Sequence, residues 1–97
     1  MGMRFVPGDS LEEEGIREWF RSEDLVPLEW SNGPGDTYGW HAHPYHKVLY
    51  CVEGSITFEG RQGRHAMGPG DRLDIEPGTE HAATVGPDGV RCMEASR

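Results

Sequence analysis

The sequence is short of basic residues and of long apolar runs, and each shortage excludes a class of protein. Only 9 of its 97 residues are Lys or Arg, against 17 Asp or Glu, which gives a formal net charge of -8. Because binding to nucleic-acid phosphates needs a basic surface, we expect no nucleic-acid partner. No apolar run approaches the roughly 20 residues of a membrane-spanning helix, so we expect no membrane association.

Cysteine is also scarce, with only Cys51 and Cys92, both in strand-like segments. Cysteines of this kind usually behave as small core residues, and their thiols stay free in a reducing compartment. The first residues, 1–7, lack the apolar segment of a secretory signal peptide. We therefore expect a cytoplasmic protein with two buried free thiols.

Turn-forming residues divide most of the chain into short strand-like runs. Beyond residue 24, Gly, Pro and Asp separate short runs with strand-like patterns, and Pro87-Asp88-Gly89 has the composition of a hairpin turn. The spacing predicts seven or eight strands, which is typical of a β-sandwich or a small barrel. A chain of this length forms one domain with a modest core.

Residues 9–22 have the pattern of one short helix. Ser10 and Glu13 have the spacing of a capping box, and the glutamates beside them suit the positive end of the helix dipole. An apolar stripe, which we expect to pack on the strands, consists of Leu11, Ile16, Trp19 and Phe20. We accordingly divide the chain into an N-terminal arm and helix, residues 1–24, and a β domain, residues 25–97.

Three of the five histidines lie just before the most apolar segment of the chain. His41, His43 and His46 fall within six residues, and strand alternation directs His41, His43 and Lys47 to one face. Imidazole binds transition metals and carries protons near neutral pH. This segment is therefore the candidate site, and the residues alone leave its chemistry open.

Two separated segments carry a longer pattern that begins at these histidines. The pattern G-x5-H-x-H-x3-4-E-x6-G is matched by Gly35, His41, His43 and Gly54, with Lys47 in the glutamate position. This is the form of the first motif of the cupin superfamily, which the sequence resembles.

The second cupin motif has the form G-x5-P-x-G-x2-H-x3-N. Gly70, Gly78 and His81 match it, while Glu76 stands in the proline position and Val85 in the asparagine position. The two motifs follow in the family's order and register, and together they extend over about half of the chain, residues 35–85.

The resemblance implies an all-β fold, a single-domain jelly-roll β-barrel preceded by one short N-terminal helix. In similar proteins the barrel holds a divalent metal, and carried over to this sequence the ligand candidates are His41, His43 and His81. The candidate ions are Fe, Mn, Ni and Zn. The resemblance to small members of the family and the modest core both favour a homodimer.

Lys47 departs from the family pattern, because an ammonium group has no lone pair for a metal. Three interpretations are open: Lys47 pairs with a carboxylate, it points inward to bind or protonate a substrate, or its charge takes the place of the metal. We treat Lys47 as the candidate substrate-binding residue. A bulge at Pro44 would bring His46 into the place of the missing glutamate.

Two main functions follow, and both take a small molecule as partner. The first is a small metal-dependent enzyme of the dioxygenase or isomerase type. The alternative is a non-catalytic module that binds a small polar or anionic ligand through Lys47 and the histidines. A third function is an interaction protein whose barrel serves only dimer formation. The fold does not decide among them, because one fold hosts both catalysts and binding proteins.

Overall fold

The computed structural model describes residues 2–9 and 11–97, and within them lie one helix and seven strands. In chain order these are β1 (Met3–Val6), α1 (Glu13–Ser22), β2 (Leu28–Asn32), β3 (Thr37–His41), β4 (Lys47–Gly60), β5 (Gly63–Met67), β6 (Arg72–Ile75) and β7 (His81–Ser96). Every strand pairing described is antiparallel. The expected all-β fold with one short N-terminal helix is confirmed.

The two longest strands, β4 and β7, form a central ribbon. They pair from Lys47 opposite Ser96 to Gly60 opposite His81. The first half of β4 also pairs with β6, which pairs in turn with β1, and the second half of β7 pairs with β2. At the other end of the ribbon, β5 pairs with β4 and β3 pairs with β7. β4 and β7 therefore belong to two groups of strands. The first group also contains β1, β6 and β2, and the second also contains β3 and β5.

Register shifts interrupt the ribbon near Gly54, and shifts of this kind bend and twist a strand. Gly54 and Gly89 have positive φ angles of 78° and 79°. A Cβ atom on Gly54 would lie 2.0 Å from the carbonyl oxygen of Gly89, so this close approach of two backbones requires glycine. The prediction of a hairpin at Pro87-Asp88-Gly89 was wrong, because β7 continues through these residues and pairs with β4 on both sides of them instead of reversing.

One apolar cluster draws its residues from both groups of strands and forms the main core. Its buried members are Leu49, Cys51, Ile56, Phe58, Met67, Leu73, Ile75, Ala83, Val85, Val90 and Cys92. Burying one large apolar side chain of this kind contributes about 1.5–3 kcal/mol. Cys51 and Cys92 are 0 % exposed and are not disulfide-bonded, so the prediction of two buried free thiols is confirmed.

The helix covers the opposite face of β4 and β7. Ile16 and Phe20, one helical turn apart, are 0 % exposed and pack against Val48, Tyr50 and Met93. The prediction that the apolar stripe packs on the strands is confirmed for Ile16 and Phe20, with Trp19 partly buried beside them. It was wrong for Leu11, which precedes the helix and is 36 % exposed.

The predicted capping box was wrong, because the helix begins at Glu13 and its N-cap is Glu12, which makes no side-chain capping hydrogen bond. Ser10 itself lies outside the described residues. No helix within residues 2–9 and 11–97 is long and apolar enough to cross a membrane.

Candidate metal centre

Strand pairing and one loop contact bring three histidines together. His41 ends β3, His81 begins β7, and the two residues lie opposite each other in the pairing of these strands. His43 lies in the loop after β3. Its carbonyl oxygen accepts a hydrogen bond from the Gly78 backbone N–H at 2.7 Å, which holds this loop against the turn before β7.

The turn that leads to His81 explains the glycine of the second motif. The Thr79 N–H donates to the Glu76 carbonyl oxygen at 3.2 Å, and between them Gly78 has a φ of 77°. Proline followed by a residue with positive φ is the signature of a type II turn, in which glycine is preferred at the second position. Pro77 and Gly78 therefore set the direction in which the chain enters β7.

The histidine rings are close enough to share one ion. Taking one ligand atom from each of His41, His43 and His81, these atoms lie within 4.8 Å of one another. The ring centroids are 4.3 Å apart for His41 and His81, and 4.9 Å apart for each of the other two pairs. The structure thus brings together the three histidines that the sequence singled out, and this group can hold a metal ion.

Backbone carbonyls orient two of the rings. His41 Nδ1 lies 2.7 Å from the Gly39 carbonyl oxygen, and His81 Nδ1 lies 2.9 Å from that of Thr79. A carbonyl oxygen only accepts, so both Nδ1 atoms carry the proton and both Nε2 atoms keep a lone pair. A metal ligand needs this tautomer, in which Nε2 is free to bind the ion while Nδ1 donates a hydrogen bond to the protein.

His43 completes the group with a nitrogen that has no protein partner. Its Nδ1 is buried and makes no hydrogen bond with the described residues. Burial, reinforced by the charge of Lys47 and by the rings of His81 and His41, lowers the pKa of His43 from 6.5 to about 4. Burial also lowers the pKa of His81. Neutral imidazoles with free lone pairs fit a divalent metal without prior loss of a proton.

The histidines open onto a cavity of about 270 Å³, called here the histidine cavity. Its lining residues are Trp30, Tyr38, His41, His43, Lys47, Phe58, His81, Ala83 and Glu94. Aromatic and apolar side chains form one part of the wall, and charged or imidazole groups form the other. A larger groove of about 410 Å³ runs along residues 60–65 and 78–80 and contains none of the three clustered histidines.

Lys47, the only lysine in the chain, points into this cavity. Its Nζ lies 3.2 Å from Oε1 of Glu94, and the two side chains are 14 % and 19 % exposed. Trp30 Nε1 donates a hydrogen bond to the same oxygen at 2.6 Å. Lys47 thus pairs with a carboxylate and also faces the cavity. Substrate binding by Lys47 stays a prediction.

His46 does not line the histidine cavity, so it does not stand in for the missing glutamate there. The carboxylate in the cavity is Glu94, which sequence reasoning missed. The signal was present in β7, where Val90, Cys92 and Glu94 alternate and the first two are core residues. Alternation places Glu94 on the same inward face.

A small antiparallel β-protein with a histidine-lined cavity is the class that this fold and site define. Residues 28–93 match the profile of the family described as Cupin domain, and the match extends over more than half of the chain. The protein therefore belongs to the cupin family. No functionally curated protein matches its sequence.

Solved structures agree with this assignment. One reported for the DMSP lyases RdDddP and RnDddQII is 27% identical with a TM-score of 0.69, covering 75% of this chain and 38% of that chain. KdgF from Halomonas sp. is 24% identical with a TM-score of 0.63, covering 74% and 68%. An RmlC-like cupin from Shewanella frigidimarina NCIMB 400 is 24% identical with a TM-score of 0.65, covering 74% and 65%. The last two show the fold alone, and this chain spans well under half of the lyase chain.

Proposed function

We propose that the protein is a metal-binding cupin whose histidine cavity takes a small polar or anionic ligand. Nε2 of His41, Nε2 of His81 and a ring nitrogen of His43 would hold one divalent ion. The observation that carries this proposal is the convergence of the three rings, with their ligand atoms within 4.8 Å of one another. Imidazole ligands suit Fe, Ni and Zn, and a site that also has oxygen ligands suits Mn.

We further propose that the loaded protein is a small enzyme of the dioxygenase or isomerase type. Three protein ligands leave coordination positions open, as a catalytic site requires, and the ion would polarise an oxygen of the substrate. Lys47 would orient an anionic group of that substrate, and the volume of about 270 Å³ restricts the cavity to small molecules. The likeness to a structure named for DMSP lyases supports a catalytic use of this fold.

The alternative is a non-catalytic module that binds its ligand through Lys47 and the histidines. The position of Lys47 favours it, because an ammonium group in the cavity repels a dication, and the carboxylate of Glu94 that could offset this repulsion is already paired with the ammonium. In this case the anionic ligand would bind without an ion.

Metal analysis of protein prepared without a histidine tag tests the proposal. The protein is dialysed to equilibrium against Fe²⁺, Mn²⁺, Ni²⁺ or Zn²⁺, and bound metal is measured by mass spectrometry. We expect stoichiometric binding of at least one of these ions, loss of binding in His43→Ala, and no change in His65→Ala. His65 is the matched control, because it lies outside the three-histidine group and stacks on Phe5. Absence of stoichiometric metal in the wild type would contradict the metal site.

Assembly and location are predictions of the same kind. We predict a homodimer because the core of a chain of this length is modest. Light scattering that gives the monomer mass at all concentrations would count against it. We also predict a cytoplasmic protein, since its two cysteines are free, and cell fractionation tests this.

A further inference from the structure

Glu94 is the one acidic residue among the described residues that line the histidine cavity. At position 47, where the cupin motif has a glutamate, this chain has a lysine instead. Glu94 lies on β7, opposite Leu49 of β4, and therefore enters the cavity from the strand beside the one that carries Lys47. The cavity thus has a carboxylate, but on a different strand.

The carboxylate of Glu94 is held in a defined orientation. Its Oε1 accepts from Trp30 Nε1 at 2.6 Å and faces Lys47 Nζ at 3.2 Å. Its second oxygen, Oε2, has no such donor among the residues that the structure describes. One oxygen is therefore fixed by the protein, and the other remains able to accept a hydrogen bond from a ligand in the cavity.

The charges in the histidine cavity also favour a role for Glu94. His41, His43 and His81 are neutral ligands, so an ion bound to them keeps its full charge, and Lys47 adds another positive charge. Glu94 carries the one negative charge among the described residues that line the cavity. Because the side chains of Lys47 and Glu94 are only 14 % and 19 % exposed, solvent screens their fields less than it would at the surface.

We propose that Glu94 takes the role that position 47 leaves open: it is the anionic partner of the three-histidine site and accepts the proton of a hydroxyl group on a small ligand bound there. The proton passes from the ligand oxygen to Glu94 Oε2. Lys47 and Trp30 act as positioning residues, because they fix Oε1. This inference rests on the proposed metal site and adds to it the chemical class of the ligand, a small hydroxylated molecule.

Zinc affinity, measured by calorimetry against a competing chelator, separates this role from that of a structural ion pair. We expect Glu94→Gln to weaken zinc binding by about 10-fold or more, because it removes a negative charge from a cavity that solvent screens only partly. Lys47→Met should strengthen zinc binding, because it removes a repelling charge. A purely structural pair would instead give two variants that are both less stable to urea, without opposite effects on affinity.

Glu80→Gln is the matched control. Glu80 is adjacent to His81 in the sequence, but its side chain pairs with Arg61 outside the histidine cavity. The variant makes the same change of charge and should leave zinc affinity unchanged. If Glu94→Gln binds zinc as tightly as the wild type, the role of Glu94 is refuted and the metal site stands. If the wild type binds no zinc or other ion, the metal site itself is refuted.

Proton release tests the acceptor role directly. Acetohydroxamic acid, a small molecule with an ionisable hydroxyl, is titrated into zinc-loaded protein in two buffers of different ionisation enthalpy. We expect the wild type to release fewer protons to the buffer than Glu94→Gln, because Glu94 retains the proton. Equal release by the two proteins, or no binding to the zinc-loaded wild type, would overturn the acceptor role.

Discussion

His41 and His81 lie opposite each other on β3 and β7 with their ring centroids 4.3 Å apart, yet their exposure differs widely. His81 is 1 % exposed and packs at the start of a core strand, whereas His41 is exposed at the end of a peripheral one. The pairing of His41 with His81 therefore joins the two sequence motifs and gives the proposed site a buried side and an exposed side.

This difference predicts that the two histidines contribute unequally to folding. Without metal, His81→Ala should lower the free energy of unfolding by about 1–3 kcal/mol, the usual range for truncation of a buried side chain, and His41→Ala by less than about 0.5 kcal/mol. Both variants should lose metal binding, because each removes a ligand. Urea unfolding in the presence of a chelator measures the first effect, and equal losses of stability would contradict this assignment.

Stability of the metal-free protein should depend on pH through His43. Its pKa is about 4 in the folded chain and 6.5 without the fold, mainly because of burial. The unfolded chain therefore binds more protons between these values, and stability falls as the pH falls from 6.5 towards 4. Above pH 6.5, where His43 is neutral in both the folded and the unfolded chain, this loss of stability is absent. Burial of His81 acts in the same direction.

The effect of His43 on this pH dependence is isolated by comparing the wild type with a variant that lacks the imidazole. Urea midpoints of the wild type and His43→Gln are measured across the window in the presence of a chelator. We expect a shallower pH dependence in His43→Gln. Parallel curves would show that His43 is not buried in its neutral form.

The bend of the central ribbon can be tested with two glycines that share a backbone conformation. Gly54 and Gly35 have φ angles of 78° and 74°, but only at Gly54 would an added Cβ meet backbone, 2.0 Å from the Gly89 oxygen. Gly35→Ala should cost about 1–3 kcal/mol from conformation alone. Gly54→Ala should cost clearly more, because two strands must also separate. Similar unfolding midpoints for the two variants would refute the close approach at this bend.

The core position of the thiols gives a prediction that needs no variant. Cys51 and Cys92 face each other across β4 and β7 and are 0 % exposed. Iodoacetamide should therefore modify neither cysteine in the native protein and both in urea, as read by intact mass. Rapid modification of the native protein would show that the interior between the two groups of strands is open.

Local patterns in the sequence were sufficient to predict an all-β fold with one helix and to single out His41 and His43, and the resemblance to the cupin motifs added His81. Alternation along β4 placed Lys47 on the same face as Leu49 and Cys51, and those two residues are core residues in the structure. The helix stripe likewise followed from spacing, since Ile16 and Phe20 are one turn apart. Spacing within a segment determines which side chains share a face.

The features that the sequence did not reveal depend on pairing between distant segments. Pro87-Asp88-Gly89 has the composition of a turn, but Val85 and Val90 on either side of it both pair with β4, so the chain continues in the same strand. The proximity of Glu94 to Lys47 follows from the register of β4 against β7, which no local pattern contains. The inward direction of Glu94 follows from alternation along β7, but its pairing with Lys47 could be identified only from the structure.

X-ray absorption spectroscopy of the metal-loaded protein tests the central proposal most directly. Zinc-loaded wild type should show imidazole scattering from three histidines with Zn–N distances of about 2.0–2.1 Å, and His43→Ala should lose one of them or bind no zinc. A spectrum of zinc bound mainly by oxygen, or the same imidazole signal in His43→Ala, would contradict a site formed by His41, His43 and His81.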